Sequence, residues 1–247
     1  MKTIKTLCIA LLALTFSCSS DDDNGTPQTQ MGAFPKKITK TDDFNPAENR
    51  SFNFTYNNEN QITNISIVFP EGEVYRSYDF SYNNGMLTHL DSESIGYNFS
   101  YDTDNILNSI ILSFSGDEIT VPVNYNAVAH SYSFTLEGTT TITLNADETF
   151  PLTFENDNPS TMTIGYTAMD GVFKNLDPQI GLFLFFGGLT GLDYFYFHPH
   201  QVQSVFYNGS EWTIENTRNE NDLIATVTAN GPLQTINYTI EYEQREL

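Results

Sequence analysis

YDFSYNNGMLTHL, residues 78–90, is the stretch on which the fold turns. Tyr78, Phe80 and Tyr82 stand two apart, with Asp79 and Ser81 between them. A period of two sends one side of an extended chain toward an apolar interior and the other toward water. Asn83, Asn84 and Gly85 follow, residues that tolerate the positive φ of a tight turn, and Met86 to Leu90 then runs back as a second strand. The unit is a β-hairpin.

The same unit recurs. FNFTYNN (52–58) leads into Gln61 to Phe69, and YNFSYDTD (97–104) leads into Ile106 to Phe114. From Tyr56 to Tyr82 to Tyr101 the copies are 26 and 19 residues apart, too irregular for a strict solenoid. Further alternating runs lie at Thr120 to Tyr125, Tyr132 to Leu136, Thr139 to Leu144, Phe150 to Phe154 and Thr161 to Tyr166. Four more lie at Val202 to Tyr207, Glu211 to Asn216, Leu223 to Thr228 and Ile236 to Tyr242. Strands this short and numerous define an all-β fold: an antiparallel meander of many hairpins, curled or barrel-like so as to hide its edges.

IGLFLFFGGLTGLDYFYF (180–197) breaks the alternation. Its interior glycines and Asp193 argue against a membrane-spanning helix. The expectation is one short apolar helix or plug near residues 172–192, packed against the sheet, with a buried strand pair as the alternative.

The hairpins resemble YD repeats, with Met86 where those repeats usually carry arginine. The wider layout resembles a Bacteroidetes lipoprotein domain of unknown function with a porin-like fold. The features that carry the likeness are a basic opening strand at Lys36, Lys37 and Ile38, the YD-like hairpins, a segment from Tyr166 to Leu176, an apolar stretch, and the hairpin VQSVFYNG (202–209). The likeness spans nearly all of residues 35–247 and implies an architecture and a cellular address, without catalytic residues.

The N-terminus has its own logic. Lys2 and Lys5 precede an apolar run from Leu7 to Phe16, which ends at Ser17 and Cys18. This is the plan of a secretory signal. Leu14 to Cys18 resembles a bacterial lipobox, with Thr15 in the place usually held by an aliphatic residue. The resemblance implies cleavage after Ser17 and a diacylglyceryl anchor on Cys18, so the partner expected there is outer-membrane lipid. Ser19, Ser20, Asp21, Asp22 and Asp23 resemble the acidic signal that sends Bacteroidetes lipoproteins to the outer face of the outer membrane. The same acids also read as the start of a solvated, self-repelling leash. The division expected is a signal peptide at 1–17, a flexible tether at 18–34 and one β domain at 35–247.

Cys8 and Cys18 are the only cysteines, and Cys8 falls inside the signal, so neither a disulfide framework nor a thiol nucleophile is expected. Removing residues 1–17 takes away two lysines and no acid, moving the net charge from −21 to −23. Between Ser77 and Phe173 stand 13 Asp and Glu and no Lys or Arg. Phosphate contacts come from basic side chains, so nucleic acid is excluded as a partner.

Chemistry-bearing motifs are few. His198, Pro199 and His200 put two imidazoles two apart without the ligand spacing of a known metal site, and a turn is the simpler reading. Asp102, Thr103, Asp104 and Asn105 open like a calcium loop but lack its glycine and glutamate, which favours a hairpin turn. No Gly-x-Ser-x-Gly elbow occurs. No metal, cofactor or catalytic residue is expected. Trp212, Tyr194 and Tyr196 are the candidate ligand-stacking aromatics, for a sugar above all. The function expected is a non-catalytic binding module of the cell envelope, for glycan or another nutrient. The alternative is a structural or protein-interaction lipoprotein.

Overall fold

The computed structural model describes residues 30–136, 138–145, 147, 150–156, 160–187 and 196–247. The signal segment, Cys18, the run Ser19 to Asp23 and Tyr194 lie outside the described residues.

Sixteen strands run in chain order. They are β1 (Met31–Asp42), β2 (Arg50–Tyr56), β3 (Ile62–Val68), β4 (Val74–Asn83), β5 (Met86–Ser92), β6 (Ile95–Tyr101), β7 (Leu107–Phe114) and β8 (Asp117–Asn126). They continue as β9 (Ser131–Thr135), β10 (Thr139–Leu144), β11 (Pro151–Asn156), β12 (Ser160–Asp170), β13 (His200–Tyr207), β14 (Ser210–Arg218), β15 (Ile224–Asn230) and β16 (Thr235–Glu246). Among the described residues one α-helix, α1 (Pro178–Gly187), lies between β12 and β13. Each strand pairs antiparallel with the next, and β16 returns to β1, so the meander is a closed barrel. Closure runs from Met31 opposite Glu246 to Asp42 opposite Ile236 and leaves no edge to aggregate.

The YD-like runs form β2, β4 and β6, and the basic opening segment forms β1. Met31 to Phe34, assigned above to the tether, are the first rungs of β1, and Phe34 is fully buried. A one-residue alternation of buried and exposed positions begins there, too short to be legible without the partner strand β16.

Up-and-down topology gives the barrel two rims. The terminal rim carries the start of β1, the end of β16 and the excursion from β12 to β13 that contains α1. The far rim carries the turns that follow β1, β3, β5, β7, β13 and β15.

Three turns at the terminal rim share one design. Asn57, Asp102 and Asn219 each accept two backbone N–H groups through Oδ1, from Glu59 and Gln61, Asp104 and Ile106, and Asn221 and Leu223, at 2.9–3.1 Å. The third residue on, Asn60, Asn105 or Asp222, takes positive φ near 60°. The Asp102 loop is therefore a hairpin turn of the same kind as its two siblings.

The repeated tyrosines close a second account. Tyr56, Tyr82, Tyr101 and Tyr242 donate to the carbonyls of Pro35, Ile62, Leu87 and Ile224, at 2.6, 2.8, 2.6 and 3.0 Å. Each acceptor stands beside a β-bulge, where the ladder leaves a carbonyl without its regular partner. Burial raises all four phenols well above the ordinary tyrosine range.

Core side chains point inward. Phe52 and Phe54, Ile65 and Ile67, Tyr78 and Phe80, and Ile236, Tyr238 and Ile240 are all buried, each pair or triplet two residues apart. The intervening positions face out: Asp79 and Ser81, Thr139 and Thr141, Glu211, Thr213 and Glu215, Thr239 and Glu241. A bilayer-spanning barrel has the reverse arrangement, with an apolar band outside and a polar lumen. The outer surface of this barrel is built for water.

The apolar interruption enters from the terminal rim and fills the lumen. Asp177 caps α1, accepting from the Gln179 N–H at 3.0 Å, and Pro178 opens the helix. Ile180, Leu182, Phe183 and Leu184 are all buried, as befits a helix with no polar stripe. The Phe183 ring meets Phe99 of β6 at 4.1 Å between centroids. The Gln179 side chain accepts from Leu87 N–H at 3.0 Å, fixing the helix to β5.

Candidate functional site

The described residues do not fill the barrel from end to end. At the far rim the inner faces of β6 to β11 enclose a cavity of about 580 Å³, within the range of small-molecule sites, roughly 300–1,000 Å³. β6 contributes Ile95 and Tyr97, β7 Ile110, Leu112 and Phe114, and β8 Ile119 and Val121. Phe134, Leu136, Thr140 and Phe154 complete the described wall. Within each strand these residues are two apart, so the cavity continues the core alternation, with nothing among the described residues packed against it.

Only Tyr97 and Thr140 among these carry side-chain oxygen. The Thr140 hydroxyl already accepts from Asn156 at 2.7 Å. Burial raises the Tyr97 phenol, Tyr78 adds to the rise, and the charge of Arg76 opposes it.

Arg76 belongs to a cationic sector of the same rim. It shares the inward alternation of Tyr78 and Phe80, with Nη1 3.5 Å from the Tyr78 hydroxyl. Lys40 and Arg50 face each other across β1 and β2 and are both buried. Arg50 donates to Glu48 at 2.7 Å and lies over the Tyr75 ring at 4.7 Å, while Arg76 lies 5.7 Å from the same ring. Nε and Nη1 of Arg50 are buried without a partner among the described residues, turned to aromatic faces instead of oxygen. In a chain with ten Lys and Arg against 31 acids, three cations directed into one rim are a concentration of charge.

The candidate stacking aromatics lie elsewhere. Tyr196 is buried, 5.9 Å from both Trp212 and Tyr238, so it is core and presents no platform. Trp212 is half-buried against Gly231, where an added Cβ would fall 2.6 Å from the indole. β14 alternates Trp212 and Ile214 on one face, and that face is the lumen.

The two histidines sit at the terminal rim. His198 Nδ1 accepts the His200 N–H at 2.9 Å, and the His198 ring stacks on Tyr166 at 4.8 Å. Burial, with the neighbouring His200, pulls the His198 pKa down to about 4. His200 Nε2 lies 3.3 Å from Asp147. Among the described residues no three His, Cys, Asp or Glu converge.

The fold and its rims define a class: a closed sixteen-strand antiparallel barrel with a water-facing exterior, an internal helix and an apolar mouth. No family model matches the chain, and no curated protein matches it. Among solved structures, it is similar to a porin-like protein from Bacteroides uniformis ATCC 8492, at a TM-score of 0.37 and 14% identity over 84% of this chain and 96% of that one.

Sequence reasoning did not reach the cavity. Its lining has the same alternation as the packed core, so no residue marks where packing stops. The cationic sector did leave a signal, since Arg50 and Arg76 fall in phase with Phe52 and Tyr78 at positions that should be apolar.

Proposed function

We propose that the protein is a lipid-anchored outer-membrane lipoprotein that acts as a non-catalytic binding module, taking its ligand at the far rim. The observation that carries the reading is the apolar cavity in the mouth of a barrel whose outer surface is polar. Such a barrel needs a separate membrane attachment, and Cys18 supplies it. The tether would join at the terminal rim, where β1 begins, and the binding mouth would point away from the bilayer. Ser19 to Asp23 would direct the anchored protein to the outer face.

The test is acyl labelling of the wild type and of Cys18→Ala in cells. Label on the wild type alone supports the anchor, and equal label or equal mature mass in both removes it. Binding is tested separately, by crosslinking in intact cells and a screen of neutral glycans. Turnover of a screened substrate, abolished by one carboxylate substitution, would overturn the non-catalytic reading.

A second reading, contact with an envelope protein, is favoured by Phe44 and Leu233. These are 76% and 89% exposed and stand together over a shallow depression at the far rim.

A further inference from the structure

We propose that the far-rim cavity holds a single acyl chain bearing an anionic head group, the chain against β6 to β9 and the head at Arg76. The inference rests on the binding-module reading and names its ligand. Leu112, Phe114, Ile119 and Phe134 offer hydrocarbon on every described side, and the Thr140 oxygen is already engaged. A sugar buried there would leave most of its hydroxyls unpaired, each at the cost of a buried polar group without a partner. Hydrocarbon loses nothing on entering.

The head group follows from charge. No Asp or Glu lines the described wall, and its one side-chain oxygen besides that of Thr140 belongs to Tyr97 on β6, at the rim where Arg76 of β4 also points inward. β4 is two strands from β6, roughly 10 Å across the sheet. An anion at the rim beside Tyr97 thus meets Arg76, the cation of this sector nearest the cavity wall, while Arg50 is already paired with Glu48 at 2.7 Å and Lys40 shares its depression with Asp42 and Glu48. A cationic head would face the like charge of Arg76, and a neutral one would gain nothing from it.

Free fatty acids and monoacyl phosphates share this chemistry. The experiment uses the Cys18→Ala chain expressed without residues 1–17, which keeps all sixteen strands and carries no lipid of its own. Palmitate, hexadecyl phosphate and hexadecanol compete for a fluorescent fatty acid below their self-association concentrations. One or both anions should bind at least roughly tenfold more tightly than the alcohol, as a charge-assisted contact implies. The tighter of the two names the source. From dodecanoate to palmitate the affinity should rise about fourfold per methylene. Leu112→Glu should abolish binding. Arg76→Gln, at the half-buried rim, should weaken the anions roughly tenfold and leave hexadecanol unchanged, with circular dichroism as wild type. Absence of saturable binding by all three probes, a flat chain-length series, or an alcohol that binds as tightly as the anions overturns the proposal. If those arms are blank while crosslinking or the glycan screen captures a partner, the binding module stands and only its ligand is refuted.

Discussion

At the scale of the residue, Tyr82 and His198 show two ways in which a buried polar group is accommodated. Tyr82 fits the alternation as an apolar ring and then uses its hydroxyl on the Ile62 carbonyl beside a bulge. Tyr82→Phe keeps the ring and strands the carbonyl, so stability should fall by about 1–2 kcal/mol, read as a lower urea midpoint at unchanged slope. His198 is 1% exposed, and its Nε2 has no partner among the described residues. With the folded pKa near 4 and the ordinary value 6.5, the unfolded chain binds the extra proton between those limits. Stability is therefore full above pH 6.5 and falls as the pH drops toward 4, by about 3 kcal/mol in all. His198→Asn, whose amide oxygen can replace Nδ1 as acceptor, should lose ring packing at pH 7 yet show a flatter profile across that window. Urea melts at pH 7, 5.5 and 4.5 make the comparison.

Elements bring the same competition between local preference and packing. Gly181 lies inside α1, where alanine is the better helix former by about 1 kcal/mol. Its missing side chain is what lets the helix approach Phe150: an added Cβ would stand 2.3 Å from that ring, and Phe150 is itself buried. The clash should win. Gly181→Ala is expected to destabilise by roughly 1–3 kcal/mol despite its propensity, as measured by thermal melting. The repeated hairpins show local preference and packing in agreement: Asn57, Asp102 and Asn219 satisfy their own turns, and Arg245 of β16 then secures the first of them through Asn57 and Asn60.

For the whole molecule, closure is the controlling fact. β1 zips to β16 from Met31 onward, so a chain begun at Ile38 would lose half of that seam and expose the flank of β16. Such a truncation should aggregate or open, whereas one begun at Ser19 should stay monomeric without detergent, because the outer face is polar; size-exclusion chromatography distinguishes them. Replacing Asp21, Asp22 and Asp23 by alanine should reduce shaving by protease on intact cells without lowering total lipoprotein. Equal shaving would leave those acids as tether alone.

The sequence by itself determined the strands, their turns and the antiparallel order, and narrowed the apolar interruption to a short helix or plug or a strand pair, because each depends on neighbours a few residues away: a period of two, Asn, Asp and Gly at the turns, a continuous apolar run. The phase of Arg50 and Arg76 with Phe52 and Tyr78 stands in the sequence, but what they face does not. Tertiary structure decided which side of the sheet is inside, and so placed Trp212 in the lumen and Tyr196 in the core. It decided that β1 begins at Met31, since only β16 gives those residues a partner. It also decided that, among the described residues, the space between β6 and β11 stays open at one rim, because a cavity is the absence of a packing partner and no residue encodes that locally.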